Sequence, residues 1–380
     1  MNRNSKSIYL GTMSGTSMDG LDLVAIDFSQ QYPILLLHNH TPYPVELRDL
    51  LQNAALKEDT TISEACRLDT QLGQFYADAI NLFLDENSIN RDDVVAIGSH
   101  GQTLRHSPGY TFPFTLQIGD PNIIAARTGL TVVADFRRRD LAFNGQGAPL
   151  APAFHHEIFR SDSINRVIIN IGGIANVTLL AADLSIPVLG FDTGPGNTLI
   201  DHLSRAHLNR NFDENGNFAR SGQIHKKLLH TMLSEEPFFQ LTHPKSTGTD
   251  YFSPDWLKRF RLDRLSPADA MCTLLELSAI SIVRGIHSSG ILVHEGFVCG
   301  GGAFNTFLLE RIQFHINPVK INTTQQLGIS PEWVEATAFA WLARQTMHFL
   351  PGNLPSVTNA KKSTILGGIY FSHGQSEALC

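Results

Sequence analysis

The chain has 380 residues, a formal net charge of -7 and four cysteines. This length exceeds one ordinary hydrophobic core, so we expect an α/β protein of two domains. The acidic balance provides no basic patch for nucleic acid, and neither a secretory apolar core nor a run of 18 apolar residues predicts export or a membrane span. We therefore expect a cytoplasmic protein without a nucleic-acid or membrane partner. The cysteines, which lack a CxxC pair, predict neither a disulfide framework nor a zinc cage: Cys66, Cys272, Cys299 and Cys380.

The chain opens with two apolar runs, residues 7–10 and 21–28, which flank the segment GTMSGTSMDGLD at residues 11–22. Glycine, serine and threonine in a hairpin turn let backbone N–H groups and hydroxyls converge on a phosphate. Asp19 and Asp22 add carboxylates for a metal or a metal-bound water. Such a hairpin is also an ordinary turn, so its prediction as a phosphate site depends on the glycine clusters that follow.

Helical periodicity predicts helices over residues 45–56 and 62–87, and the run DVVAIG predicts a buried strand over residues 93–98. This strand leads into SHGQT, which puts His100 and Gln102 at its carboxyl end. Open α/β sheets bind ligands at that edge.

A short strand over residues 131–135 leads into Arg137 in the same way. The glycine-rich residues 144–147 then precede a predicted helix over residues 149–159, and we interpret them as a hinge.

The middle of the chain repeats the plan of its start. Strands are predicted over residues 166–171, 175–180 and 188–191, with Gly172 and Gly173 in the first turn. A later strand over residues 296–299 enters the turn Gly300, Gly301 and Gly302, and helices follow near residues 304–314 and 331–349. The repetition predicts a duplicated sheet domain.

Asp192 follows the third strand of the repeat and opens the sequence DTGPGN. A carboxylate at a strand end can serve as a general base, and the alternative is a capping residue for the following helix. Gly194 and Gly196 favour the first interpretation, because they let the backbone approach a phosphate closely. The same segment lacks the third glycine of a dinucleotide fingerprint, and the chain contains no GxxxxGK[ST], HExxH or GxSxG motif.

Three glycine turns, two similar sheet domains and a hinge are typical of the actin-like ATPase and sugar kinase superfamily. Within it, the chain resembles the anhydro-N-acetylmuramic acid kinase family from Tyr9 to about Gly368. The segments that carry the resemblance are GTMSGTSMDGLD, GSHGQT, ADFRRRD, GQGAPLAPAFH, NIGGIANVT, GFDTGPGN, CGGGAFN, SPEWVEATAFAWLA and PGNLPSVTNA.

The resemblance implies two duplicated ribonuclease H-like domains of the actin/hexokinase-type ATPase fold with a central ATP cleft. Domain I is expected over residues 1–145, completed by residues 331–380, and domain II over residues 146–330. We also expect a homodimer.

The resemblance further implies an enzyme of cell-wall recycling that uses ATP and Mg²⁺. It would open the 1,6-anhydro ring of anhydro-N-acetylmuramic acid with water and phosphorylate the sugar to N-acetylmuramic acid 6-phosphate. The alternative is a kinase of another hexose or amino sugar. A polymerising ATPase or a sugar-responsive repressor of the same fold would need an added interaction domain or an N-terminal helix-turn-helix, and neither is predicted.

In this interpretation Asp192 activates water as the catalytic base. Arg137, Glu335, His100 and Gln102 hold the sugar, although a first-turn acid at position 335 and structural roles at positions 100 and 102 are equally compatible with the sequence. The superfamily's first-strand acid is replaced here by Thr12 and Met13. The residue that anchors Mg²⁺ is therefore open among Asp19, Asp22 and Asp192, and we expect Asp22 or Asp192 to hold the ion through water. The residues expected around ATP are Gly15, Thr16, Ser17, Met18, Asp19, Gly20, Leu21, Asp22, Gly172, Gly173, Gly194, Gly196, Gly300, Gly301 and Gly302.

Overall fold

The computed structural model describes residues 7–372 except residues 16, 31 and 58. Its strands, in chain order, are β1 (Ile8–Met13), β2 (Gly20–Asp27), β3 (Ile34–Pro42), β4 (Val94–Ser99), β5 (Gln102–Ser107), β6 (Phe114–Ile118), β7 (Val132–Ala134), β8 (Arg166–Ile171), β9 (Ile174–Leu180), β10 (Leu189–Pro195), β11 (Glu295–Cys299), β12 (Lys320–Thr323) and β13 (Gly368–Tyr370).

Helices connect these strands and cover their faces. In chain order they are α1 (Val45–Leu56), α2 (Ile62–Glu86), α3 (Pro121–Thr128), α4 (Arg138–Ala142), α5 (Ala151–Phe159), α6 (Thr198–Leu208), α7 (Asn217–Arg220), α8 (Lys226–Glu235), α9 (Pro254–Lys258), α10 (Pro267–Ser288), α11 (Thr306–Ile316), α12 (Val334–Met347) and α13 (Pro355–Thr358).

The chain divides into two compact units. Unit 2 comprises residues 155–334, and the described residues before and after it form unit 1. The backbone therefore passes from one unit to the other inside α5 and again at the start of α12. Residues 144–147, which the sequence suggests as a hinge, lie wholly within unit 1.

Both units contain the same arrangement of five strands. In unit 1 the order is β3-β2-β1-β4-β7, with β13 added beyond β7, and in unit 2 it is β10-β9-β8-β11-β12. In each sheet the first three strands form an antiparallel meander, and the fourth strand runs parallel to the first. This shared order confirms the predicted duplication and the ribonuclease H-like α/β fold class.

Two paired glycines explain how α12 lies on the sheet of unit 1. Gly11 of β1 is the partner of Gly98 of β4 in the parallel ladder. A Cβ atom would lie 2.0 Å from the Ala336 carbonyl oxygen at Gly11 and 2.0 Å from the Phe339 carbonyl oxygen at Gly98. The helix backbone therefore rests directly on the strand backbone, and neither position can accept a side chain.

The core of unit 2 is organised around α10, most of whose residues are buried. By length and composition alone α10 could cross a membrane, but 83% of its most apolar stretch is buried inside the protein. Such burial is typical of the central helix of a folded core.

Two predicted elements need correction. The strand that precedes Asp192 does not end at Phe191, because β10 continues to Pro195. The predicted helix over residues 331–349 is a 3-10 turn, Pro331–Trp333, followed by α12.

Candidate active site

The turn after β1 is held by a line of buried hydroxyl and amide groups. Tyr43 donates to the Ser14 hydroxyl at 2.8 Å, and Ser14 donates to Gln102 Oε1 at 2.6 Å. Gln102 Nε2 donates to the Gly15 carbonyl at 3.2 Å. Because the Tyr43 proton is used on Ser14, the contact of 3.1 Å between the Tyr43 and Tyr76 hydroxyls has Tyr76 as its donor. Gln102, predicted to hold the sugar, is thus bonded to the predicted phosphate turn.

The rest of this turn carries the acids predicted for a metal. Ser17 donates to Asp19 Oδ1 at 2.9 Å, and Met18 N–H donates to the Gly15 carbonyl at 3.2 Å. Asp22, which is partly exposed, lies 2.7 Å from His40 Nδ1. Thr16 lies outside the described residues. Among the residues that the structure describes, no group of three or more His, Cys, Asp or Glu side chains could hold a metal.

Arg137 and His100 form a buried pair in unit 1. Arg137 Nε and Nη2 both donate to His100 Nε2, at 3.2 and 2.9 Å, and Nη1 donates to the Gly147 carbonyl at 2.9 Å. Since Nε2 accepts, the imidazole is neutral with its proton on Nδ1. Burial and then the Arg137 charge hold the pKa of His100 well below its usual value. His100 therefore serves here as an acceptor that orients the guanidinium.

Two carboxylates act on the Arg137 charge. Burial lowers the pKa of Arg137 to about 10, and the charges of Glu335 and then Asp140 oppose that shift. The guanidinium remains charged at neutral pH. Unit 1 thus brings together Arg137, His100 and Glu335, as their predicted common role in holding the sugar requires.

Asp192 lies at an irregularity of β10 in unit 2, since the pairing of β10 with β9 shifts register between Asp192 and Gly194. Such bulges re-aim side chains. Asp192 Oδ2 accepts from the Ser246 hydroxyl at 3.1 Å and from Thr247 N–H at 2.8 Å, and Asp192 N–H donates to the Lys245 carbonyl at 3.1 Å. The capping alternative is wrong, because α6 begins at Thr198 with Asn197 as its N-cap.

Burial and hydrogen bonding act in opposite directions on the Asp192 carboxyl group. Burial raises its pKa to about 6, against the opposing effects of the Thr247 and Ser246 hydrogen bonds and the Lys245 charge. A general base is most effective when its pKa lies near the working pH. Ser246 and Thr247, which bond to Asp192, also line a pocket of about 360 Å³. Its other lining residues are Pro237, Phe238, Leu241, Gly248, Asp250 and Tyr251.

The second glycine turn is held by its own backbone. The N–H groups of Gly196 and Thr198 donate to the Gly173 carbonyl at 2.9 and 3.1 Å, and Asn197 N–H donates to the Gly172 carbonyl at 2.9 Å. A Cβ on Gly196 would lie 2.3 Å from the Gly172 carbonyl oxygen. Gly196 is therefore required by backbone packing, whereas the sequence suggests a phosphate as the reason.

Gly194, which the sequence also suggests as a phosphate-approach position, has a φ of 145° and packs against Phe239 and Ser281. Backbone conformation and packing therefore account for this glycine as well.

The glycine turn after β11 contains one glycine without a packing reason. A Cβ would meet Asn170 Oδ1 at 2.5 Å from Gly300 and Ile171 Cγ2 at 2.3 Å from Gly302, but nothing within 4 Å from Gly301. Gly301 is exposed, so it is the member of the three that a ligand can approach.

The sequence identifies Asp192 but not its partners Ser246 and Thr247. A pattern that could point to them is the polar run KSTGTD at residues 245–250, which lies outside every predicted element.

Comparison with known proteins identifies one matching family. The family model described as anhydro-N-acetylmuramic acid kinase matches residues 7–372. A curated anhydro-N-acetylmuramic acid kinase from Coxiella burnetii is 47% identical over 96% of this chain and 98% of its own length. A protein of the same name from Shewanella denitrificans is 48% identical over 95% of this chain and 98% of its own length. A solved ROK family glucokinase from Streptomyces griseus, in complex with glucose and AMPPNP, aligns with a TM-score of 0.41 at 13% identity over 89% of this chain and 100% of its own.

Proposed function

Because this chain belongs to the anhydro-N-acetylmuramic acid kinase family, we propose that it converts ATP, water and 1,6-anhydro-N-acetylmuramic acid into ADP and N-acetylmuramic acid 6-phosphate. This reaction would recycle cell-wall sugar in the cytoplasm. The alternative, a kinase of another hexose or amino sugar, would need no water in the reaction.

The observation that carries the proposal is the environment of Asp192. Its Oδ2 is fixed by Ser246 and Thr247, and its pKa of about 6 leaves it ionised at neutral pH and able to accept a proton. We infer that Asp192 takes a proton from the water that attacks the anomeric carbon. The bond from that carbon to the bridging oxygen breaks, and the freed oxygen bonds to the γ-phosphorus of ATP. The bond from that phosphorus to the β,γ-bridging oxygen breaks to release ADP, and Asp192 returns its proton to solvent.

The donor count of Arg137 supports a role in binding the lactyl carboxylate of the sugar. Its contacts to His100 and Gly147 use three of the five guanidinium N–H donors. Counted over the residues that the structure describes, these contacts leave one donor on each terminal nitrogen, which is the arrangement that a carboxylate accepts in a bidentate pair. Glu335 would contact sugar hydroxyls from the same region.

The nucleotide is proposed to contact residues 15–22, the second glycine turn and Gly301. Mg²⁺ usually takes only one or two protein carboxylates and otherwise binds phosphate oxygens and water, which suits a chain without a cluster of acids among its described residues. Asp22 or Asp192 would hold it through water. When bound, Mg²⁺ would neutralise charge on the phosphates.

Turnover in oxygen-18 water tests the coupled reaction. The product should carry the label in its anomeric hydroxyl and none in its phosphate, provided that it is trapped before ring opening exchanges that oxygen. Parallel assays with free muramic acid and common hexoses test the alternative. Label in the phosphate, or preferred turnover of an ordinary hexose, would contradict the proposal.

A further inference from the structure

Asp140 is a fully buried carboxylate that has no role in the chemistry above. Its Oδ2 accepts from Gly147 N–H at 2.7 Å. Its Oδ1 accepts from Asn353 Nδ2 at 2.7 Å and from the Thr358 hydroxyl at 2.8 Å. One side chain thus ties the glycine-rich segment after α4 to a distant segment near the end of the chain, and all of these residues belong to unit 1.

Gly147 links Asp140 to Arg137 through its two backbone polar groups. The N–H group of Gly147 is held by Asp140, and its carbonyl accepts from Arg137 Nη1 at 2.9 Å. Gln146 N–H also donates to the Thr358 carbonyl at 2.8 Å, so this loop is fixed to the same C-terminal segment by its backbone. Gly147 has a φ of 68°, a left-handed conformation that glycine adopts without strain.

Arg137 is therefore oriented from two sides. His100 accepts from Nε and Nη2, and the Gly147 carbonyl accepts from Nη1. His100 lies just after the end of β4. The position of the Gly147 carbonyl depends instead on Asp140 and on the groups that donate to Asp140. Moving the Gly147 carbonyl would turn the guanidinium about the His100 contact and change where its remaining donors point.

We propose that Asp140 is a positioning residue for the sugar carboxylate, and that Asn353 and Thr358 hold it in place. This inference rests on the proposed function, because it assumes that Arg137 receives that carboxylate. A buried carboxylate with only a structural role would affect stability alone. A positioning role predicts instead a defect confined to substrates that carry the carboxylate.

The test compares Thr358→Val, which removes the hydroxyl donor at nearly constant volume, with Thr358→Ser, which keeps it. Thr346→Val is the matched control, since Thr346 is a buried threonine of unit 1 whose hydroxyl bonds to Leu342 and Leu366 carbonyls instead. Each variant is assayed with the anhydromuramic sugar and with the corresponding anhydro sugar that lacks the lactyl ether, and its melting temperature is measured.

We expect Thr358→Val to raise the KM for the carboxylate-bearing sugar about tenfold, because a misplaced Arg137 guanidinium would lose about one hydrogen bond to the charged sugar carboxylate. The KM values for ATP and for the sugar without the lactyl ether should stay unchanged. Thr358→Ser should restore the wild-type KM, and Thr346→Val should change only the melting temperature. In an Arg137→Lys background, Thr358→Val should add no further increase.

Equal KM increases for both sugars, or a lower melting temperature with unchanged KM values, would overturn the positioning role and leave the proposed function intact. A wild-type protein that phosphorylates neither sugar would overturn both. If Thr358→Val does not fold, Asn353→Ala removes the other Oδ1 donor and is judged by the same ratio of KM values.

Discussion

The two units share a sheet order but hold the turn between their first two strands in different ways. In unit 1 the turn is fixed by side chains from other elements, with Tyr43 and Gln102 bonded to Ser14. In unit 2 the turn is fixed by backbone, with the Gly172 and Gly173 carbonyls accepting from residues 196–198. A turn that is held by side chains can be altered by removing one polar atom from a side chain. A turn that is held by backbone hydrogen bonds is altered only by adding a side chain that collides with it. The duplicated scaffold therefore holds its two equivalent turns by different kinds of hydrogen bond.

The largest expected effect is a loss of kcat on substitution of Asp192 in unit 2. Asp192→Asn should lower kcat by roughly 10²- to 10⁴-fold, the usual contribution of a general base, while ATP and sugar still bind. Rapid-quench turnover and equilibrium binding measure the two effects separately. Normal turnover by this variant would remove Asp192 from the chemistry.

Melting temperature provides the folding control for Asp192→Asn. Because the folded-state pKa of Asp192 is raised to about 6, the folded protein binds this proton more tightly than the unfolded chain. The stability that this proton provides is lost as the pH rises from about 4 through 6. At pH 7 the Asn variant lacks the buried charge, so we expect it to melt no lower than the wild type.

Arg137→Lys tests the side-chain chemistry of unit 1. A lysine cannot reproduce the contacts to His100 and Gly147 together with a bidentate pair, so the KM for the sugar should rise by an amount equivalent to about 1–3 kcal/mol. The KM for ATP should change little. Steady-state kinetics with each substrate varied in turn checks both values, and an unaltered sugar KM would exclude Arg137 from the site.

The backbone-held turn can be broken by a single methyl group. Gly196→Ala places a Cβ 2.3 Å from the Gly172 carbonyl oxygen, and such overpacking should cost about 1–3 kcal/mol in the free energy of unfolding. Gly301→Ala is the control, because nothing lies within 4 Å of its added Cβ. Denaturant unfolding should separate the two variants, and equal stabilities would contradict the packing role of Gly196.

The side-chain-held turn should respond to loss of one hydroxyl group. Tyr43→Phe removes the donor to Ser14 and should cost about 1 kcal/mol of stability while raising the KM for ATP. Tyr9→Phe is a suitable control in the same unit, since the Tyr9 hydroxyl interacts with His348, at 3.5 Å, and with Ser7 rather than with Ser14. If Tyr43→Phe changes stability but leaves the KM for ATP at its wild-type value, the hydrogen bonds from Tyr43 through Ser14 to Gln102 do not shape a nucleotide site.

The smallest effect is a shift in pH dependence. Since the base must be ionised, kcat/KM should rise with pH through about 6 and then level off. Ser246→Ala removes a hydrogen bond that lowers the pKa of Asp192, so the inflection should move upward by roughly 0.5–1 pH unit. Ser289→Ala, at a partly buried serine of unit 2 that bonds to the Ile286 carbonyl, should leave the inflection in place.

Local sequence patterns predict the parts of this molecule that local physics determines. The opening hairpin, the repeated strands and the position of Asp192 follow from apolar runs and glycine turns. The partner Ser246 lies 54 residues from Asp192, and only folding brings the two together. Helix α10 is missed because it is buried on nearly all sides and lacks a clear amphipathic period. Edge strand β3 is missed because its exposed half reads HNHTP.

The direct contact of α12 with Gly11 and Gly98 also sets the tolerance of the site to change. Substitutions in an apolar core can be absorbed when neighbouring side chains repack, but a collision between two backbones has no such freedom. The Ala336 carbonyl that Gly11 meets belongs to the residue after Glu335. One added carbon atom at Gly11 would therefore lift the first turn of α12 and displace the Glu335 carboxylate, although Gly11 itself contributes no functional group.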